Sequence, residues 1–204
     1  MKERPPVIFL VDDDASVRRA LTRLIRSAGH RVESFATARE FLAGGWDRNG
    51  PSCLVLDVHM PGLSGLDLQR ELQALDMHLP IIFITGQGDI PMGVTAMKAG
   101  AVDFLPKPVR AEILLPAIEQ ALAQASRQRI AVAELDDILR RLDSLTTRER
   151  EVMELVVTGM INKQIAYELG IVEQTIKVHR GRMMEKMAVG SLAELVRLAE
   201  KVGI

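Results

Sequence analysis

Residues 53–65 read CLVLDVHMPGLSG. An apolar run ends on a carboxylate, Asp57, and passes at once into Pro61, Gly62 and Gly65, residues that turn a chain. A short continuous apolar run bounded by turn signals reads as a strand buried on both faces. Similar runs stand on either side: VIFLV (7–11), RVESF (31–35), IIFIT (81–85) and VDFL (102–105). Helical periods lie between them. Val17, Leu21, Leu24, Ile25 and Ala28 share one face of a helix ending at Gly29. Thr37-x-x-Glu40 before Phe41 and Leu42 reads as a capping box, and Ser64-x-x-Asp67 precedes Leu68, Leu72 and Leu75. Asp89 with Pro91 opens another helix, closed near Gly100. Strands alternating with helices predict an α/β fold, a five-stranded parallel sheet covered by helices on both faces. Right-handed crossovers restrict it to a few doubly wound orders.

Such sheets bind ligands beyond the carboxyl ends of their strands. The first strand runs into Asp12-Asp13-Asp14, the third ends in Asp57, the fourth in Thr85, and the last continues to Lys107-Pro108. Acids converging without basic partners repel one another, and a divalent cation relieves the repulsion. Carboxylate oxygens with room for water suit Mg2+. A cation held there neutralises phosphoryl oxygens while a carboxylate attacks phosphorus, with a lysine opposite and a hydroxyl in reach. The rim therefore suits formation of an aspartyl phosphate. One Asp at a strand end is ordinarily a turn or cap residue, and Asp14 fits that role for a helix starting at Ala15. Four matching strand ends argue for chemistry.

VDDD (11–14), LDVHMPGLSG (56–65), ITG (84–86) and KAGAVDFLPKP (98–108) resemble the receiver domain of two-component response regulators. The resemblance implies a flavodoxin-like strand order, 2-1-3-4-5, and a role for each rim residue. Asp57 would be the phosphoacceptor. Asp12, Asp13 and Asp57, with the backbone carbonyl of His59, would hold Mg2+. Thr85 and Phe104 would form the switch pair, Lys107 would contact the phosphoryl group, and the Lys107-Pro108 bond would be cis. Such a domain takes phosphate from a sensor histidine kinase onto its own Asp and hydrolyses it there, so it is no enzyme with independent turnover. Other phosphate chemistries fit poorly. There is no GxxxxGK[ST], and GQGDIPMG (86–93) departs from GxGxxG. A phosphatase of the haloacid dehalogenase type needs a second Asp where His59 stands. No second His lies near His59 in sequence to share a metal through its ring.

Residues 109–143 read as helix. Ile113, Ala117, Ala121 and Ala125 recur every fourth residue, and Ile130, Leu135, Ile138, Leu139 and Leu142 continue the pattern. Pro116 predicts a kink or a start near that point, leaving one helix or two. A solvated spacer and a helix that also touches a second subunit are both open readings.

Beyond Thr146 the strand pattern disappears. Thr146-x-x-Glu149 caps a helix containing Val152, Leu155 and Val156, ending near Gly159. Asn162 starts a short helix closed by Gly170; EQTIKVHRGRMMEKM (173–187) follows after a brief turn, and Ser191-x-x-Glu194 caps a last helix stopped by Gly203. The middle pair has the form of a helix-turn-helix. Lys177, Arg180, Arg182 and Lys186 outnumber Glu185 on the third helix, beside His179. Ile176, Met183, Met184 and Met187 supply apolar contacts, the methionines as core. A cationic helix held by an apolar face suits the major groove. LTTREREVMELVVTGMINKQIAYELGI and QTIKVHRGRMMEKM resemble the LuxR-type helix-turn-helix of the FixJ/NarL family, nearest to FixJ-like regulators, including StyR-like ones of aromatic catabolism. That resemblance implies an all-α four-helix domain in which Lys177 and Val178 face bases, Lys163, Thr175 and Arg180 approach phosphates, and Arg182 adds to the DNA-binding set. It also implies that the last helix helps pair two subunits. Val172 stands where relatives often have a capping Ser, which costs about 1 kcal/mol. Gly181 replaces a larger or basic residue and weakens the helix by about 1 kcal/mol relative to Ala.

Composition agrees with a globular protein: 204 residues, 48% hydrophobic and 26% charged. The net charge of −1 divides into −2 over 1–125, zero over 126–145 and +1 over 146–204, so a nucleic-acid reading rests on local clustering rather than on bulk charge. No apolar run approaches a membrane span, and MKERPP lacks the apolar core of a signal peptide, so a cytoplasmic location is expected. The lone Cys53 lies in an apolar run and reads as a buried small hydrophobe. The expected organisation is a receiver over 1–122, a helical linker over 123–143 and a LuxR-type DNA-binding domain over 144–204. The expected function is a regulator that takes phosphate on Asp57 and thereby controls dimerisation and transcription. Its expected partners are a sensor histidine kinase, double-stranded promoter DNA and a second copy of itself, with RNA polymerase as a further candidate. Two alternatives belong to other classes: a phosphatase of small phosphate esters, marked by turnover, and a protein-binding module, marked by the absence of salt-dependent DNA binding.

Overall fold

A computed structural model of the chain describes residues 5–44, 50–86 and 90–204. Strands form where the apolar runs fall: β1 (Val7–Val11), β2 (Arg31–Phe35), β3 (Ser52–Asp57), β4 (Ile81–Thr85) and β5 (Asp103–Pro106). They pair in parallel in the expected order, β2-β1-β3-β4-β5. Alternate residues feed two cores. Val7, Phe9, Val11, Leu54, Leu56 and Phe83 face one side, while Ile8, Leu10, Cys53, Val55, Ile82 and Ile84 face the other. Both faces are covered, which is why the inner strands β1, β3 and β4 are apolar up to their ends, while the edge strands β2 and β5 carry polar residues.

Helices α2 (Ala38–Ala43), α3 (Gly65–Ala74) and α4 (Ile90–Lys98) cover the first face through Phe41, Leu68, Leu72 and Ala96. Helices α1 (Ala15–Ser27) and α5 (Ala111–Asp143) cover the second through Leu21, Ile25, Leu114, Ile118 and Ala121. The caps read from sequence form. Asp14 caps α1, Thr37 caps α2, and Ser64 with Asp67 makes a reciprocal box at α3. At α2 the box is displaced, because Glu40 accepts from the N–H of Ala36 and not from that of Thr37. Asp89, expected to open α4, lies outside the described residues.

The open question at Pro116 resolves to one helix, since α5 begins five residues earlier and runs through it. Pro116 removes only the bond to the Glu112 carbonyl, and both residues are exposed.

Contacts divide the chain into two compact units, Met1–Arg129 and Ile130–Ile204. The second is helical: the end of α5, then α6 (Thr147–Val157), α7 (Asn162–Leu169), α8 (Glu173–Met187) and α9 (Leu192–Lys201). Its core gathers Ile138 and Leu142 of α5 with Val152, Ile165, Ile176, Met183, Met187 and Leu195. Met183 and Met187 of α8 are core, as expected, and Met184 packs against it half-buried. Thr146 and Glu149 form a reciprocal capping box at α6, and Ser191 caps α9.

Candidate functional site

Strands β1 and β3 are neighbours with Val11 opposite Leu56. The next residue on each strand, Asp12 and Asp57, therefore meet at a strand spacing of about 4.8 Å. With Asp13 they form a cluster: one carboxylate oxygen from each lies within 4.8 Å of the others. On the far side of β3, Thr85 of β4 pairs with Pro106 of β5, so Lys107 leaves the sheet over the same rim. Its Nζ lies 2.6 Å from Asp12 Oδ2 and 2.7 Å from Asp57 Oδ2. Lys107 thus stands between two of the acids, on the rim where its place after the last strand put it. Chain direction after Pro106 brings it there. The Lys107-Pro108 bond is cis.

Asp12 is fully buried, and burial raises its carboxyl pKa above the ordinary value against the opposing hydrogen bond from Lys107. Burial pulls Lys107 down, but hydrogen bonds and charge from Asp12 and Asp57 outweigh it and hold the ammonium above its usual value. The lysine is therefore the secure charge of the cluster. Asp12 Oδ2 is buried and takes no aligned hydrogen bond beyond that ion contact. Buried and exposed carboxylates converging with spare lone pairs make an all-oxygen donor set that fits a hard divalent cation such as Mg2+.

The other candidates surround this cluster. Thr85 is buried, with Oγ1 3.5 Å from Nδ1 of His59. His59 is exposed and donates its backbone N–H to Asp57 Oδ1 at 3.3 Å. Phe104 lies beside Phe83 of β4, ring centroids 6.3 Å apart. Sequence reading missed two glycines here. Gly65 donates its N–H to the Val58 carbonyl, and a Cβ on it would collide with the Asp57 carbonyl. Gly93 of α4 leaves room for the Phe104 ring, which a Cβ would approach to 3.3 Å. Both were legible in sequence only as turn or helix residues.

In the helical unit a three-residue turn joins α7 to α8, with Gly170 at φ 66°. Lys163, Lys177, Val178 and Arg182 are exposed; Thr175 and Arg180 are half-buried. Arg180 Nη1 donates to Asn162 Oδ1 at 3.0 Å, tying α8 to the start of α7 beside Lys163. Arg182 bonds to none of the other candidates among the described residues. The basic face is narrower than its sequence suggests. Lys186 turns inward, its Nζ 2.7 Å from Glu149 Oε2 and 2.9 Å from the Ser144 carbonyl. Glu173, left out of the sequence balance, lies 3.6 Å from Lys177. The hydrogen bond from Lys186, followed by that from the Thr146 N–H, holds the Glu149 carboxyl at about 2. Val172 gives α8 no side-chain cap, as its sequence implied.

Residues 8–119 match the family of response regulator receiver domains, and residues 143–199 match the luxR family of bacterial regulatory proteins. The chain is a response regulator. It belongs to the family that joins a receiver to a LuxR-type DNA-binding domain. Nodulation protein W of Bradyrhizobium diazoefficiens is 51% identical to the regulator over 97% of its chain and 87% of the relative's. Transcriptional regulatory protein FixJ of Rhizobium meliloti (strain 1021) is 44% identical over 94% of each chain. The solved structure of response regulator StyR superposes with a TM-score of 0.88 at 51% identity, covering 97% of the regulator and 100% of that chain. Among the described residues, no helix of the regulator is long and apolar enough to cross a membrane.

Proposed function

We propose that phosphorylation of Asp57 switches the regulator between weak and strong promoter binding. The observation that carries this reading is the rim itself: Lys107 Nζ 2.7 Å from Asp57 Oδ2, beside three gathered carboxylates. A sensor kinase presents a phosphohistidine. An Asp57 oxygen forms the new P–O bond as the P–N bond breaks, and the leaving imidazole takes up a proton. Asp12, Asp13, Asp57 and the His59 carbonyl would hold Mg2+, which would supply positive charge to the phosphoryl oxygens. Lys107 moves its hydrogen bond from the carboxylate to a phosphoryl oxygen, and the Thr85 hydroxyl binds another. Phe104 follows inward and reshapes the surface of α4 and β5. The receiver spans 1–122, the linker 123–143 and the DNA-binding domain 144–204.

The modified receiver favours a homodimer, and paired helical domains read two half-sites. Lys177 and Val178 face bases; Lys163, Thr175, Arg180 and Arg182 serve the phosphates. RNA polymerase is a partner of the bound state. The work is cytoplasmic, and the only phosphate hydrolysed is that on Asp57. The test uses the full chain, Mg2+ and a phosphoramidate donor. Intact mass should rise by the ~80 Da of one phosphoryl group. Asp57→Asn should abolish the adduct, and a promoter fragment should bind more tightly after modification, with affinity falling steeply in salt. An adduct that survives in Asp57→Asn refutes the site, and promoter binding that ignores modification refutes the switch.

A further inference from the structure

Asp13 presents a particular problem in the acidic cluster. It is exposed, and no hydrogen bond or ion pair to its carboxylate occurs among the described residues. Packing does not aim it, so its backbone must. That backbone is held from α1. Arg18 Nη1 donates to the carbonyl of Asp12 at 2.7 Å and to the carbonyl of Asp13 at 2.9 Å. The turn is stitched at its other points as well. Asp12 Oδ1 accepts the N–H of Asp14 at 2.8 Å, and Asp14 Oδ1 accepts the N–H of Ser16 at 2.6 Å. The backbone N–H of Arg18 closes on the Asp14 carbonyl at 2.9 Å. The Asp12 and Asp13 carbonyls are held by a side chain from the first turn of α1, that of Arg18.

We propose that Arg18 is a positioning residue, whose guanidinium clamps the Asp12 and Asp13 carbonyls so that both carboxylates stay converged on Asp57 for a divalent cation. This rests on reading the cluster as a cation site. Groups that orient metal ligands are worth about 10–100-fold in affinity.

The sign of the effect separates positioning from charge. Arg18 carries a positive charge beside a cation site, so by Coulomb's law alone its removal tightens cation binding. A clamp predicts the reverse. The experiment titrates the full chain with Mg2+ by calorimetry and with Mn2+ by electron paramagnetic resonance, for the wild type, Arg18→Met and Arg18→Lys. Thermal melts confirm that each variant is folded. Arg18→Met should bind about tenfold more weakly, at the lower end of that range. Arg18→Lys keeps the charge on a shorter side chain that ends short of the Nη1 position, so it should fall between. If Arg18→Met does not fold, Arg18→Lys carries the test and must bind more weakly than wild type. A variant that binds as tightly as wild type, or more tightly, overturns the clamp. A wild type that takes up neither metal at millimolar concentration overturns the cation-site reading itself, an outcome recognisable before any variant is compared.

Discussion

Replacing Glu149 with Gln tests how the reading helix is held. Glu149 is 3% exposed, yet its covering layer is thin, because the side chain of its partner Lys186 is 35% open to solvent. Its carboxyl sits at about 2 in place of 4.5. At 1.36 kcal/mol per tenfold change in proton affinity, that displacement corresponds to at most about 3.4 kcal/mol. Solvent screening reduces it, and Gln still accepts the N–H of Thr146, so the charge alone should be worth about 1–2 kcal/mol. The folded carboxyl is depressed. Its contribution is therefore complete above pH 4.5 and is lost as pH falls toward 2.

Hydrogen exchange read by mass spectrometry on peptides of α6 and α8 measures the opening of this unit within the full chain. Protection should fall about 5–30-fold in Glu149→Gln at pH 7. The gap from wild type should narrow steadily below pH 4.5, and pairing the change with Lys186→Met should show strong coupling between the two sites. Protection within twofold of wild type at pH 7, or a gap as wide at pH 3 as at pH 7, refutes the ion pair as the brace of α8.

Three further outcomes are expected. Lys107→Ala leaves two buried carboxylates face to face and should destabilise the receiver by about 2–4 kcal/mol at neutral pH; the loss should shrink on adding Mg2+, and thermal melts that show no such rescue contradict the arrangement. Gly65→Ala drives a methyl into the Asp57 carbonyl; a cost of about 1–3 kcal/mol is expected, with a slower phosphorylation rate even where the fold survives. Asn162→Ala frees the Arg180 guanidinium from its 3.0 Å bond; operator affinity should drop about 3–10-fold with an unchanged salt slope, since no phosphate contact is removed, whereas Arg180→Ala should reduce the slope by about one.

Much of the fold was readable because its signals are local. Asp14, Ser64 and Thr146 announce their helices by chemistry confined to one turn, and the inner strands of a doubly covered sheet are continuous apolar runs. The rim acids were legible for the same reason, each at the end of its run. What escaped depended on partners distant in sequence. Lys186 counts as one more charge on a basic helix until Glu149, 37 residues away, captures it. Lys107 was legible as a rim residue, but its simultaneous grip on Asp12 and Asp57 depends on the strand order. Arg18 lies close to its partners, but they are backbone carbonyls, which carry no signature in sequence. Gly65 and Gly93 matter for atoms they lack, and only neighbouring coordinates show what that space admits.

Gly181 has open space where a side chain would stand, and it sits on an exposed stretch of α8 in ordinary helical conformation. Almost any residue fits there, and most would stiffen the helix by up to about 1 kcal/mol. That vacancy is a natural handle for engineering. If α8 enters the operator as proposed, a library confined to this single codon should shift which operators the protein prefers, each member answering the same input at a different promoter.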